Sequence, residues 1–329
     1  MRPFTYERAA DVRAAVAAAA GSRDGVFLAG GTNLVDLMKL EVLTPGTLID
    51  ISRVTNDEIV ELPNGGIRIG AGVRNSDLAA NPIIRRRYPM LAQAILSGAS
   101  AQLRNLATIG GNLLQRTRCV YFQDLTTPCN KRQPGSGCSA VDGFRRDAAI
   151  LGASEACVAT HPSDMAVGLA ALGAVVQTTG PHGKRSIPVT ELHRLPGEQP
   201  ERDTVLTHGE LITDIDLPAL AFATNSRYWK VRDRASYAFA LVSVAAALDA
   251  VEGVVRDVRL GLGGVAHKPW RAATVEETLR GQLAVEESFR AAAEAELAAA
   301  RPLFDNAFKV PLAINMITHV LTDLAGDGR

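Results

Sequence analysis

Cys119, Cys129, Cys138 and Cys157 are the only cysteines of the chain, and all four fall in one short segment, RTRCVYFQDLTTPCNKRQPGSGCSAVDGFRRDAAILGASEACVATHPSD. The segment is rich in Gly, Pro and charged residues and shows no sustained helical or strand period, so buried apolar area alone does not fold it. Four thiolates complete the coordination of one metal site or one iron–sulfur cluster. Two disulfides would use the same residues, but such bridges belong mainly to small secreted domains. This chain is long and starts MRPFTYERAAD, without a basic-then-apolar leader. Unrelated buried thiols are a third reading. Structural zinc usually recruits C-x-x-C pairs, whereas the gaps here are nine, eight and eighteen residues. A cuboidal cluster is wider than a single ion and takes ligands from separate loops. Long gaps therefore suit it better, although spacing alone does not separate zinc from iron–sulfur.

A second chemistry is carried by Ala29-Gly30-Gly31-Thr32-Asn33 and by Thr108-Ile109-Gly110-Gly111-Asn112. Adjacent glycines let backbone N–H groups approach an anion closely, a helix N-terminus adds a favourable field, and Thr and Asn supply further donors. Two such loops can clamp the two phosphates of a dinucleotide, while either one alone reads as an ordinary tight turn. No G-x-G-x-x-G follows a strand, and the run Gly180 to Lys184 lacks P-loop spacing, so a Rossmann or P-loop site is not indicated. The six histidines are scattered with no H-E-x-x-H, and no G-x-S-x-G elbow is present. Nothing in the chain reads as a substrate-converting constellation.

The elements that must position these residues are α+β in pattern. Asp11 starts a first amphipathic helix, DVRAAVAAAA; Gly25 to Ala29 reads as a short buried strand, and Thr32 opens a helix with Leu34, Leu37, Met38 and Val42 on one face. TLIDIS is a further strand, Ile59 to Leu62 and Ile67 to Ile69 form a hairpin, and Asn75 or Ser76 caps the next helix. Pro89 to Ser97 is helical. Beyond the cysteine segment, Ser163-Asp164 caps an apolar helix, Ala174 to Thr178 is a strand, and Glu210 to Leu217 alternates as another. The apolar run Ser236 to Ala250 is expected as a long core helix, too short for a membrane span. Val254 to Leu262 alternates as a strand, and Thr274-x-x-Glu277 reads as a capping box. Helices and antiparallel strands in separate blocks indicate α+β, with a domain boundary near residue 220.

Composition bounds the partners. The chain has 329 residues, enough for two or three domains, and Lys+Arg and Asp+Glu both count 35, so no nucleic-acid surface is indicated.

FLAGGTNLVDLMK, ending at Lys39, and LRNLATIGGNL, starting at Leu103, resemble the FAD-binding subunits of molybdenum hydroxylases, the xanthine dehydrogenase, aldehyde oxidoreductase and carbon monoxide dehydrogenase enzymes. PSDMAVGLAALGA, GELITDIDLP, YWKVRDRASYAFALVSVAAAL and VRLGLGGVAHKPWRA continue the likeness along essentially the whole chain. It implies a two-lobed PCMH-type FAD-binding domain over 1–220, with lobes of about 1–55 and 56–220. A C-terminal α+β domain of the CO dehydrogenase flavoprotein type follows over 221–329. Carried over residue by residue, Leu28, Ala29, Gly30, Gly31, Thr32, Asn33 and Leu34 form the first pyrophosphate loop. Thr108, Gly111 and Asn112 form the second, with Ala99 nearby. Asp164 falls at the position that contacts the flavin nucleotide, and Ile212 and Lys230 fall where a strand residue and a lysine approach it. Xanthine dehydrogenase-like members run directly from GGN to the SD motif, whereas here an insert of about 115–160 intervenes. RTRC, PCNKR, PGSGC and Cys157 are similar to the bacterial aldehyde oxidoreductase medium subunits with an additional 4Fe–4S cluster, so the likeness implies cluster ligation by all four cysteines. A related insert with different cysteine spacing occurs in 4-hydroxybenzoyl-CoA reductase subunits. The resemblance further implies a molybdenum cofactor-binding large subunit, a 2Fe–2S small subunit and an external electron acceptor as partners. It implies a cytoplasmic complex, or a periplasmic one co-exported with a signal-bearing partner. A stand-alone flavoprotein with a structural metal site is the rival reading.

Overall fold

The computed structural model describes residues 1–326 and contains three sheets. The first joins β1 (Thr5–Arg8), β2 (Gly25–Leu28) and β3 (Thr47–Asp50) in the order β1-β3-β2, all parallel. The expectation of antiparallel strands thus fails for this lobe. The helix Val12–Gly21 carries the chain from β1 across to β2, and the helix Leu34–Lys39 lies in the crossover between the paired β2 and β3; the Asp11 side chain caps the first of these by accepting from the Ala14 N–H at 2.7 Å. β1 itself carries no apolar alternation, and its four residues are all exposed, so its place in the sheet has no signal in the chain's pattern.

The second sheet is antiparallel. It comprises β4 (Ile59–Glu61), β5 (Ile67–Gly70), β6 (Val175–Gly180), β7 (Gly183–Pro188) and β8 (Leu211–Leu217), in the order β4-β5-β8-β6-β7. Its core joins Ile67, Ile69, Val176 and Ile215 to the helices Pro89–Ser97 and Asp164–Leu172. The long excursion between β5 and β6 carries the second glycine loop and the cysteine segment.

The third sheet comprises β9 (Ser226–Val231), β10 (Val242–Val251), β11 (Val254–Gly263) and β12 (Trp270–Arg271), antiparallel in the order β12-β11-β10-β9. Here the expected helix over 236–250 is a strand. An apolar run buried on both faces has no alternation to read, and the helical preference of alanine yields to packing. Ala245 and Ala247 of β10 join the core around the helix Asp164–Leu172, whereas Val242, Val244, Ala246 and Leu248 join the core built by the C-terminal helices. Opposite Ser243 and Ala245 stand Gly263 and Gly261 of β11. A Cβ at Gly261 would come within 2.8 Å of Val167 O, and one at Gly263 within 2.6 Å of Val167 Cγ2. Small residues therefore let the helix lie directly on the sheet.

The expected capping box at Thr274 is also replaced. The helix Ala273–Leu279 begins two residues earlier than a cap at Thr274 implies, with Ala272 at the cap position, and the Thr274 and Val275 N–H groups donate to Glu296 Oε2 at 2.9 and 3.3 Å. Glu296 comes from the helix Glu286–Leu297, so the cap is a tertiary contact. Asn75 is the first residue of its helix, not the cap; Arg74 holds that position and makes no side-chain capping bond.

Candidate functional site

The two glycine loops touch. A Cβ at Gly30 would meet Leu106 O at 2.2 Å, so only glycine allows the first loop to seat against the residues preceding the second. Gly31 has φ +73°, in the left-handed region. The second loop is held from within: Thr108 Oγ1 accepts from the Gly111 N–H at 3.2 Å. Asn112 Oδ1 accepts from Ser163 Oγ at 2.6 Å and from Gln115 Nε2 at 2.8 Å.

Two adjoining cavities of about 310 and 440 Å³ open on either side of these loops and share Thr32, Asn33 and Gly111 as a common wall. Both volumes lie in the range of small-molecule sites. The larger is lined by Ala29, Gly30, Gly31, Leu34, Thr108 and Ile212. The smaller is lined by Ala99, Asn112, Asp164 and Lys230. Leu28 lines neither: it ends β2, paired with Asp50. Every other expected cofactor residue faces this double cavity. Asn33 Nδ2 and Asn75 Oδ1 line the smaller cavity, are buried and make no hydrogen bond. Unpaired buried polar atoms of this kind are costly unless a ligand answers them.

Asp164 is the first residue of its helix, and the cap is Ser163, which accepts from the Ala166 N–H at 3.0 Å. The Asp164 carboxylate is thereby free for other partners. Tyr228 donates its hydroxyl to Oδ1 at 2.5 Å, and Lys230 Nζ donates to Oδ2 at 2.8 Å and to Ser97 O at 3.1 Å. Tyr228 and Lys230 are two apart on β9 and so share a face. Burial, then the neighbouring Asp164 charge, pushes the Tyr228 phenol well above its ordinary value. It stays protonated and donating.

Several lining residues carry no motif and were missed by sequence reasoning. Tyr237 and the expected Ala99 both line the smaller cavity with positive φ, 52° and 50°. Strained non-glycine backbone concentrates at binding sites. Gly98 sits where a Cβ would come within 3.2 Å of Asp164 Oδ2. Thr207 and Gly209 reach the larger cavity from the turn before β8. Arg116, at the start of the insert, lines the larger cavity, and Arg118 the smaller. The composition of the insert, read only for metal, was the available signal.

The insert gathers its four cysteines around one small cavity of about 10 Å³. Cys119 precedes the short helix Val120–Gln123, Cys129 and Cys138 face each other in an antiparallel bridge, and Cys157 bridges Ser154. All four are free thiols. The surrounding loops are tied by side chains: Arg132 donates to the Tyr121 and Phe122 carbonyls at 2.7 and 2.8 Å, and Asn130 joins Gly137 and Ala156. Burial pushes the Cys157 thiol up to about 12 and raises Cys119 as well. Among the described residues, no group of three or more His, Cys, Asp or Glu is arranged to hold a metal ion.

The profile described as the FAD binding domain in molybdopterin dehydrogenase matches residues 2–220, and that of the CO dehydrogenase flavoprotein C-terminal domain matches 227–324. The chain belongs to the FAD-binding medium subunits of the molybdenum hydroxylase family. It is 50% identical over 325 residues, 98% of each chain, to the aldehyde oxidoreductase FAD-binding subunit PaoB of Escherichia coli (strain K12). It is 30% identical to the glyceraldehyde dehydrogenase medium chain of Sulfolobus acidocaldarius, over 85% of this chain and 82% of that one. A solved carbon monoxide dehydrogenase from Hydrogenophaga pseudoflava superposes with a TM-score of 0.76 at 26% identity, covering 99% of this chain and 98% of the other. Its mixed helix and strand architecture is therefore that of the expected two-domain flavoprotein fold. No helix among the described residues is long and apolar enough to cross a membrane.

Proposed function

We propose that this chain is the FAD- and 4Fe–4S-carrying electron-transfer subunit of a molybdenum-containing aldehyde oxidoreductase. It would work with a molybdenum cofactor-binding large subunit and a 2Fe–2S small subunit, and hand electrons to an external acceptor. The observation that carries the reading is the contact of the two glycine loops at the wall between two ligand-sized cavities. We assign 1–220 to flavin binding, with lobes 1–55 and 56–220, and 221–329 to the C-terminal domain that closes the cleft with Lys230 and Tyr237.

A bound flavin supplies the exchange between one- and two-electron chemistry. The chain's own residues do the rest. Backbone N–H groups of residues 30–34 would hold the pyrophosphate, while those of Ile109, Gly110, Gly111 and Asn112 already donate within the protein and keep the second loop in shape beside it. Asn33 and Asn75 offer an amide donor and acceptor that lack protein partners. Asp164, pinned between Tyr228 and Lys230, presents a fixed carboxylate to the nucleotide. The thiols of Cys119, Cys129, Cys138 and Cys157 have the donor chemistry of a cluster and line one small cavity. Loading would displace their protons and spread the cage. The likeness to a named aldehyde oxidoreductase subunit supports aldehyde as the substrate class on the partner. We propose a cytoplasmic site of action, with a periplasmic one by co-export as the alternative.

The test is cofactor content of the co-purified complex. A Gly111 Cβ meets only Thr108 Oγ1, at 3.1 Å, so a large side chain there projects toward the cavities it lines. Gly111→Trp should leave the chain folded with FAD per chain reduced at least tenfold; a stoichiometric FAD load would refute the site. Cys138→Ser should lower iron per chain while FAD falls less, and unchanged iron in all four single Cys→Ser variants would refute the cluster.

A further inference from the structure

A third cavity, of about 210 Å³, lies between the cysteine cage and the flavin cleft. Arg118, Pro162, Asp164, Ala238 and Phe239 line both it and the smaller flavin cavity. Thr117, Cys119, Ala140 and Ala159 line both it and the cage. Its interior is apolar where Val158, Val167 and Leu241 face it, and the exposed side chains of Val120, Phe144 and Phe239 surround its mouth. A dry apolar cavity of about 150 Å³ already holds benzene, so this one takes a single ring with a few substituents.

Three buried polar atoms on its lining residues have no partner: Arg118 Nε, His161 Nε2 and Ser243 Oγ. All three can donate. His161 Nδ1 accepts from the Ser163 N–H at 3.3 Å, which places the ring proton on Nε2. The occupant must therefore bring acceptor oxygens. It need not bring charge, because the cations here are already paired: Arg118 with Asp36 at 3.0 Å and Arg145 with Asp305 at 3.5 Å. Of the acids that line the cavity, Asp164 pairs with Lys230, and Asp233 and Asp147 with Arg146. A neutral ring with carbonyl oxygens fits this wall better than an aromatic carboxylate, whose charge would lack a free counter-ion.

We propose that this chamber is a binding site for a monocyclic quinone, set between the cluster cage and the flavin cleft. The inference rests on the flavin and cluster reading for the meaning of its location, but not for the binding itself. The probe is tetramethyl-1,4-benzoquinone, which has no free ring position for thiol addition, measured by equilibrium dialysis against the oxidised, FAD-loaded complex. One equivalent should bind without displacing FAD, and benzoate should bind at least tenfold more weakly. Ser243→Ala removes a donor and Arg145→Leu removes part of the chamber wall, and each should raise the Kd at least threefold. Leu241→Trp fills the ring space and should raise it at least tenfold. FAD and iron per chain should stay unchanged in all three. Absence of saturable binding to an FAD-replete complex, stoichiometric release of FAD, tighter binding of benzoate, or a Kd indifferent to all three substitutions overturns the chamber. Quinone binding with the same sensitivity in a complex that takes no FAD would instead overturn the flavin reading and leave the chamber standing.

Discussion

Lys230 illustrates how much of the site turns on single buried contacts. Its ammonium and the Asp164 carboxylate are both almost wholly removed from solvent, at 3% and 7% side-chain exposure. A buried pair of this kind adds little net stability over apolar residues, but removing one partner strands the other. Lys230→Met should leave Asp164 with only the Tyr228 hydroxyl and cost about 3–5 kcal/mol. Lys230→Met combined with Asp164→Leu should recover most of that stability and none of the flavin affinity. Denaturant midpoints and FAD content of both variants check this. Equal stability of the single variant and the wild type would show that the pair is not buried in solution. Glycine pairs and clustered cysteines are visible in a sequence because their residue types are rare and their spacing is local. The Asp164–Tyr228–Lys230 group is not visible that way, since its members lie 64 and 66 residues apart and none is unusual by itself; only the family likeness marked Asp164 and Lys230, and nothing marked Tyr228.

At the scale of elements, the third sheet and the helix Asp164–Leu172 decide how the C-terminal domain meets the flavin cleft. Gly263 is the tightest point: a Cβ would meet Ser243 Oγ at 2.4 Å and Val167 Cγ2 at 2.6 Å. Gly263→Ala should therefore push the helix off the sheet at an overpacking cost of about 1–3 kcal/mol, and should weaken FAD retention because Asp164 opens that helix. Thermal unfolding with FAD quantitation reads both, and an unshifted Tm would mean that the neighbours repack freely. This interface also explains the one large misreading of secondary structure. VSVAAALDAV has the composition of a helix and the burial of a central strand, and the pairing partners that make it a strand lie on either side in β9 and β11.

Across the whole molecule, the insert is anchored at a histidine-lined junction. His161 from the end of the insert and His193 from the flavin domain stack edge to face at 4.3 Å, and His267 from the C-terminal domain lines the same small cavity. His193 Nε2 donates to Leu113 O at 2.7 Å and His267 Nδ1 to Arg194 O at 3.0 Å. Lys131 and Arg116 meet Asp203 beside them, a carboxyl that these two cations hold below the usual range despite burial. Burial pushes His193 and His267 down to about 4 and His161 well below its ordinary value. The unfolded chain therefore takes up protons below pH 6.5 that the folded chain refuses until about pH 4. The resulting stability is complete above pH 6.5 and is lost progressively as pH falls toward 4, by on the order of several kcal/mol. Urea midpoints should fall steeply between pH 6.5 and 4.5 in the wild type and less steeply in His193→Gln and His267→Gln. Identical slopes in all three proteins would show that these imidazoles are not buried neutral.

The amino-acid sequence alone determined what rests on local chemistry. The two glycine loops, the gathering of all four cysteines in one insert, the capped helix after Ser163, the hairpin of Ile59 to Leu62 with Ile67 to Ile69 and the family likeness all follow from residue type and near spacing. Only the tertiary structure decided the rest. It made a parallel sheet of β1, β2 and β3, although the β1 residues are polar and exposed. It turned an alanine-rich run into β10, lent Glu296 as a distant helix cap, and brought Asp164 to Tyr228 and Lys230. It also closed a ring-sized chamber between the cage and the cleft. The division has one physical cause. Turn conformation and capping are set by the few residues that make them, whereas burial on both faces, long-range hydrogen bonds and cavities exist only once segments far apart in the chain have packed together.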